Sequence, residues 1–404
     1  MKVLFTFGGM PHYLVSQLNG IQDKGIEVIT VIPAASAGRT IGKGVKQSFS
    51  DVKFKLVYLE EYNTIYKKPF LRGLKQLIVH EKPDIVVTLW PYILGFLFHP
   101  ALLCYIKLKK IKLTLKDIPF MVAPFNSCFS YYKQNPVYDE NMNYESLKGI
   151  KFYIKYGFLA ILRKIYYNIL DGTLNYSHIA FDIQSSYGMK KERIFITLNS
   201  PETNLIFEAK KKLMLNENPL EYNPYRLIHV GRLVKWKKVD LLIKALNIIA
   251  KEFPNPELLI VGDGPEKNEL EKITIELNLY KHVKFVGGIY DYDSLGNYFN
   301  TSAIYVLAGM GGLSINEAMA FGKPVICSVS DGTEKFLVRE GFNGMFFKDD
   351  DYKDLAEKIK YLFKNPSLIK EYGENSEKII RDEVNINIVV NNFLNAFYTI
   401  KKFN

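Results

Sequence analysis

Short apolar runs rich in β-branched and aromatic residues recur along the chain, separated by longer amphipathic stretches. No other feature constrains the fold as strongly. Strands that return to one sheet through intervening helices run parallel, and such a sheet needs both faces covered. The runs fall at 2–7, 26–33, 53–60, 84–90, 111–116, 172–176 and 194–198, then at 226–231, 257–262, 283–287, 303–308 and 324–329. Helical patterns fill the intervals, as over 239–251 and 316–321. The expected fold class is therefore α/β, and 404 residues are too many for one ordinary core but suit two. Asn199-Ser200-Pro201 closes one strand series, and a polar, proline-punctuated connector runs from 216 to 224 before the next series begins. We expect a first domain over 1–205 and a second over 206–385, with a closing helix at 386–404 packing back on the first.

Composition narrows the partners. A formal charge of +11 favours an anionic ligand or surface. Neither a Lys/Arg-rich arm nor zinc-finger spacing is present, so nucleic acid is not expected. Cys104, Cys128 and Cys327 are an odd number with no paired spacing, which points to a reducing compartment without disulfides or a thiolate metal site. The N-terminal apolar run is too short for a signal peptide, and the longest one, 93–106, falls short of a membrane span. A cytoplasmic protein is expected.

Three segments carry chemistry. Val230-Gly231-Arg232-Leu233-Val234-Lys235-Trp236-Lys237-Lys238 puts four cations within seven residues after a strand-ending glycine. Arg offers forked donors and Lys a point charge to a diphosphate, although a solvated basic loop has the same composition. Val261-Gly262-Asp263-Gly264-Pro265 is a tight turn opening a helix, by itself as readily structural as functional. In Gly309-Met310-Gly311-Gly312-Leu313-Ser314-Ile315-Asn316-Glu317, a glycine-rich turn leads from a strand into a helix. Its amides suit an anion, and Glu317 suits a ribose diol. Each segment alone is a weak signal. Together they lie at predicted carboxyl ends of strands in one domain, where a doubly wound sheet opens its crevice.

These segments resemble the retaining, nucleotide-sugar-dependent glycosyltransferases of family 4, which have the GT-B fold of two Rossmann-like doubly wound domains facing across a cleft. The resemblance rests on Phe7-Gly8-Gly9, Val230-Gly231-Arg232, Ile260-Val261-Gly262-Asp263-Gly264-Pro265 and Phe285-Val286-Gly287. Its most specific stretch is Glu317-Ala318-Met319-Ala320-Phe321-Gly322-Lys323-Pro324-Val325-Ile326. It implies that Arg232 and Lys237 hold the donor diphosphate, with Lys238 replacing Lys237 if the loop register differs by one, and that Glu317 binds the ribose. Gly231, Gly264 and the backbone of Gly311, Gly312 and Leu313 would contact the donor, residues after Gly287 would border its base, and Gly8 and Gly9 would approach it from the other domain. No metal or other cofactor is implied, because side-chain cations stabilise the charge.

Two departures stand out. The family's usual Glu eight positions before the ribose-binding one is Gly309 here, and its usual His-Asp pair in the first domain is Lys116-Asp117, followed by Ile118-Pro119. With His12, Lys116 and Asp117 form the acceptor-side candidates, and Trp90-Pro91-Tyr92 ends a neighbouring strand. The expected activity is transfer of a sugar from a nucleoside-diphosphate sugar, UDP or GDP, to a glycan or lipid-linked acceptor in bacterial surface polysaccharide or glycolipid assembly. Rivals are an inactive nucleotide-sugar-binding protein, with Gly309 as its mark, and a GT-B epimerase. The basic, aromatic stretch 151–167 suits either a helix on the sheet or one lying on the inner face of an anionic membrane.

Overall fold

A computed structural model describes residues 1–34, 49–118, 122–135, 148–215, 220–329 and 333–403. Pro119 and the 216–219 part of the connector lie outside them. The first strand series forms β1 (Lys2–Thr6), β2 (Glu27–Pro33) and β3 (Lys55–Leu59), a small antiparallel pair β4 (Glu61–Asn63) and β5 (Pro69–Leu71), then β6 (Ile85–Thr88), β7 (Lys112–Asp117), β8 (Gly172–Asn175) and β9 (Ile194–Ile196). All but the small pair join one parallel sheet in the order β3-β2-β1-β6-β7-β8-β9. Val3, Leu4, Val86, Val87, Leu113 and Leu115 are fully buried, as a sheet covered on both faces demands.

The second series forms β10 (Arg226–Val230), β11 (Glu257–Val261), β12 (Val283–Gly287), β13 (Ile304–Leu307), β14 (Val325–Cys327) and β15 (Gly344–Phe346), parallel and ordered β12-β11-β10-β13-β14-β15. The helix Val239–Ile249 buries seven side chains, partly against this sheet and partly against the helix Tyr352–Lys364. The α/β class with two doubly wound parallel sheets is what the alternating runs require.

The chain divides into one unit of Met1–Leu198 with Asn387–Asn404 and another of Asn199–Ile386. The division falls at 198/199 and not at 205/206, because the helix Thr203–Leu215 docks as a whole on the helix Tyr292–Asn300 of the second unit. A Cβ on Gly296 of that helix would stand 2.7 Å from Leu213, so the missing side chain lets the two helices close up. The last helix, Ile386–Lys402, packs on the first unit: the Phe397 ring meets that of Phe5 edge-on at 6.0 Å. Lys112 also donates to the carbonyl of Phe403.

Candidate functional site

Strands β10 and β13 are neighbours from which the chain departs in opposite directions, to β11 and β12 on one side and to β14 and β15 on the other. Loops leaving such a pair diverge, and the gap between them is where doubly wound sheets take ligands. Here one loop begins at Gly231-Arg232 and the other at Gly309-Met310-Gly311-Gly312.

Backbone hydrogen bonds lace the first loop to its neighbours. Gly231 N–H donates to Val261 O at 3.0 Å, Gly262 N–H to Gly287 O at 2.8 Å, Leu233 N–H to Asp263 O at 2.9 Å and Glu266 N–H to Leu233 O at 3.0 Å. A Cβ on Gly262 would lie 1.8 Å from Gly231 O, and one on Gly264 would lie 2.3 Å from Leu233 O. No side chain fits either place. The Gly-Asp-Gly-Pro turn thus braces the Arg232 loop, and Gly287, at φ 85°, turns the chain where β12 ends.

Gly309 has a comparable reason. A Cβ there would meet Trp236 O at 2.1 Å, because the single 3-10 turn Lys235–Lys237 sits directly against it, and Met310 N–H donates to that same Trp236 O at 2.9 Å. A glutamate does not fit at 309 while this turn is in place.

The turn aims its cations. Lys237 is buried, and its Nζ donates to Met310 O at 2.7 Å and Gly311 O at 2.6 Å. A Cβ on Gly312 would be only 3.3 Å from that ammonium. The β10 and β13 loops therefore meet through one positive charge at the switch point, beside Gly311, Gly312 and the partly exposed Leu313. Arg232 is half-buried with its guanidinium carbon 5.7 Å from the centre of the Trp236 ring, and burial lowers its pKa, though a guanidinium keeps its charge.

Lys238 departs from expectation. Its left-handed backbone, φ 50° and ψ 39°, sends the side chain elsewhere, to Asp349 at 2.8 Å and Asp350 at 2.9 Å. Burial opposes the charge, but the two carboxylates outweigh it and raise the ammonium above its ordinary range. Lys238 is thus engaged away from the turn and is not the substitute for Lys237.

Glu317 lies on the helix Ser314–Ala320 and keeps some surface exposure, yet the protein around its carboxyl is dense enough for burial to push it up to about 7. Tyr305 and Tyr292 are close enough to feel its charge; burial first, and Glu317 with it, holds both phenols far above their ordinary value. The Tyr305 hydroxyl also pairs with Ser314 Oγ at 2.8 Å, tying the helix start to β13.

In the first unit, Gly8 and Gly9 follow β1, and a Cβ on Gly8 would meet nothing within 4 Å. His12 is exposed at the start of the helix His12–Asp23, its ring 5.8 Å from Tyr13. Lys116 is buried, donates to the Tyr176 hydroxyl, and lies 3.8 Å from the centre of that ring. Burial lowers its ammonium to about 7. Asp117 points its carboxylate into the protein, where Oδ2 accepts from the Tyr167 hydroxyl and from Gln184 Nε2 at 3.1 Å and Oδ1 accepts from the Ile118 N–H at 2.9 Å. With both oxygens engaged inward, Asp117 anchors β7 to its surroundings and is corrected from acceptor-side candidate to structural residue.

Three neighbours of the site escape a reading of the sequence. Trp236 supplies both the ring beside Arg232 and the carbonyl over Gly309. Tyr292 offers no local signal. His229 does, being a polar residue inside the apolar strand Arg226–Val230. It is fully buried with Nδ1 3.1 Å from Val306 O and Nε2 unpaired. Burial brings it down to about 4, the Val306 carbonyl opposing and Lys237 adding to the fall, so it stands neutral beneath the loop. Among the described residues, no group of three His, Cys, Asp or Glu side chains is placed to hold a metal ion.

Comparison with known proteins bears on the family and the fold. The family described as glycosyl transferases group 1 matches residues 210–379. An uncharacterised glycosyltransferase of Methanocaldococcus jannaschii is 32% identical over 168 residues, which are 40% of this chain and 42% of that protein. The capsular polysaccharide biosynthesis glycosyltransferase CapM of Staphylococcus aureus is 26% identical over 73% of this chain and 80% of its own. The crystal structure of Anabaena HepE in complex with UDP superposes with a TM-score of 0.68 at 16% identity, covering 99% of this chain and 100% of that one. The chain spans about half or less of the length of the first curated relatives it matches. The structural likeness establishes the fold.

Proposed function

Since residues 210–379 match the glycosyl transferases group 1 family and the two sheets have the GT-B arrangement of strands, we propose that this protein transfers a sugar from a nucleoside-diphosphate donor, UDP or GDP, to a glycan or lipid-linked acceptor with retention of anomeric configuration. The observation that carries the reading is the Lys237 ammonium lodged between the β10 and β13 loops, 2.6 Å from Gly311 O. In this reading Arg232 and Lys237 disperse the charge that builds on the departing diphosphate. The amides of Gly311, Gly312 and Leu313 would donate to its oxygens, and Glu317 would accept from the ribose hydroxyls.

The sugar C1–O bond breaks with its electron pair going to the diphosphate. The acceptor oxygen bonds to C1 from the same face, and its proton passes to the leaving phosphate. Side-chain cations and backbone amides meet the charge in that sequence, so the reading includes transfer without a metal, and chelation by EDTA is expected to leave the rate unchanged. The role of CapM in capsular polysaccharide biosynthesis supports a similar setting here. Gly309 does not favour an inactive protein, because the turn that excludes a side chain there is the one that delivers Lys237.

The test is turnover of UDP- and GDP-sugars, read as donor hydrolysis or transfer. Lys237→Ala and Arg232→Ala are each expected to lose about 100-fold or more in kcat/KM, the scale for a group that stabilises developing charge, with the melting transition retained. Turnover equal to wild type in both would remove the diphosphate assignment.

A further inference from the structure

The helix Ile150–Ile169 is apolar on two sides. Its inner side packs into the first unit through Phe152, Tyr156, Ala160 and Tyr167. Its outer side carries Ile150, Ile154, Phe158, Ile161 and Ile165, with 75%, 64%, 60%, 55% and 44% of their surface exposed. At 3.6 residues per turn these five fall within an arc of roughly 80°, a continuous ridge along a helix some 30 Å long. An ordinary surface helix puts charged or amide side chains there. The helix Pro366–Asp382 does so, exposing Lys370, Glu371, Glu374 and Lys378.

Charge says what covers the ridge. Lys151 and Lys155 border it on one side and Lys164 on the other, all exposed, and the helix contains no Asp or Glu. Lys133, from the adjoining helix Cys128–Gln134, adds a fourth cation, donating to the Tyr153 hydroxyl at 2.9 Å. A protein partner would need a groove that is apolar at its floor and acidic on both rims. A bilayer of anionic lipid presents that pattern everywhere: acyl chains below, phosphates above and to either side. Among the described residues no helix is long and apolar enough to cross a membrane, so this one would lie in the plane of the surface.

We propose that the outer face of the helix Ile150–Ile169 is a membrane-docking surface that inserts its isoleucine and phenylalanine ridge into an anionic leaflet, with the flanking lysines on the lipid phosphates. The proposal does not depend on the donor pocket, which lies in the other unit.

Flotation of the whole protein with phosphatidylglycerol-containing vesicles and with pure phosphatidylcholine vesicles tests it. Binding to the anionic vesicles should be at least about tenfold stronger and should weaken several-fold as salt rises from about 50 to about 500 mM. Phe158→Ser/Ile161→Ser should cost about tenfold or more in vesicle binding while leaving the melting temperature and the stabilisation by UDP as in wild type. Phe158→Trp should show an emission shift to the blue on adding anionic vesicles. No binding at low salt, or equal binding by the double variant, overturns the proposal. It also falls if light scattering finds a wild-type dimer that the double variant dissociates, since the ridge would then join two copies of the chain.

Discussion

The two sheets end alike in sequence and differently in structure. After β10, β11 and β13 of the second unit, glycines let backbone touch backbone, and the space so closed is framed by a buried cation: Gly262 on Gly231, Gly264 on Leu233, Gly309 on Trp236, and Lys237 across to Gly311. At the end of β1 in the first unit Gly8 meets nothing, while Lys116 and Asp117 at the end of β7 are taken up by tyrosines and a glutamine. The difference teaches where precision is kept. A loop cluster that must present charge at fixed positions is built from the backbone, whereas polar residues enclosed by aromatic rings are held for the sheet's own sake.

The largest expected effect tests this contrast. Gly262→Ala forces a Cβ to within 1.8 Å of a carbonyl at φ 148° and is expected to cost about 3 kcal/mol or more, or to unfold the second unit. Gly8→Ala, with open space around it, should stay within about 0.5 kcal/mol of wild type. Urea titrations of both variants read the contrast directly. Equal losses would mean that the glycines of the two units serve the same purpose.

Next in size is a pH effect on the donor. With its carboxyl raised to about 7, Glu317 is protonated in the folded protein at pH values where the unfolded chain would already have ionised. Its contribution to stability is therefore present in acid and lost as pH rises through about 7. If Glu317 binds the donor ribose as proposed, donor binding follows the opposite sign, since the ionised carboxylate is the better acceptor for hydroxyls. Affinity for a nucleotide sugar, whose diphosphate diester does not titrate in this range, should rise about tenfold from pH 6 to pH 8. Glu317→Gln should flatten the slope. Calorimetric titration at three pH values decides it, and an unchanged slope in the variant would move the ribose contact elsewhere.

Much of this was legible in the sequence because it is local. Every strand of both parallel sheets was expected within a few residues of its place except β15, whose three residues Gly344–Phe346 show no alternation. The glycine turns and the cationic loop announced themselves by residue type. What stayed hidden depends on distant partners. Nothing near Lys238 foretells Asp349 and Asp350, 111 and 112 residues on, nor does the sequence around Asp117 foretell Tyr167 and Gln184. Gly309 could be seen as a departure but not explained, because its cause is the carbonyl of Trp236 in another loop.

The smallest effect sharpens the reading of the first unit. Lys116 is buried with no carboxylate paired to it among the described residues, and burial lowers its ammonium from 10.5 to about 7. Below pH 7 both folded and unfolded chains hold the proton, and the folded one bears the full cost of a buried charge. Between about 7 and 10.5 the folded protein sheds the proton first, so this cost is relieved as pH rises. Lys116→Met, of similar length and without charge, should therefore raise the melting temperature by a few degrees at pH 6, with the gain shrinking towards pH 10. A variant less stable than wild type at pH 6 would show that the contact with the Tyr176 hydroxyl and ring outweighs desolvation. Lys116 would then be a cation the fold works to keep, as the second unit keeps Lys237.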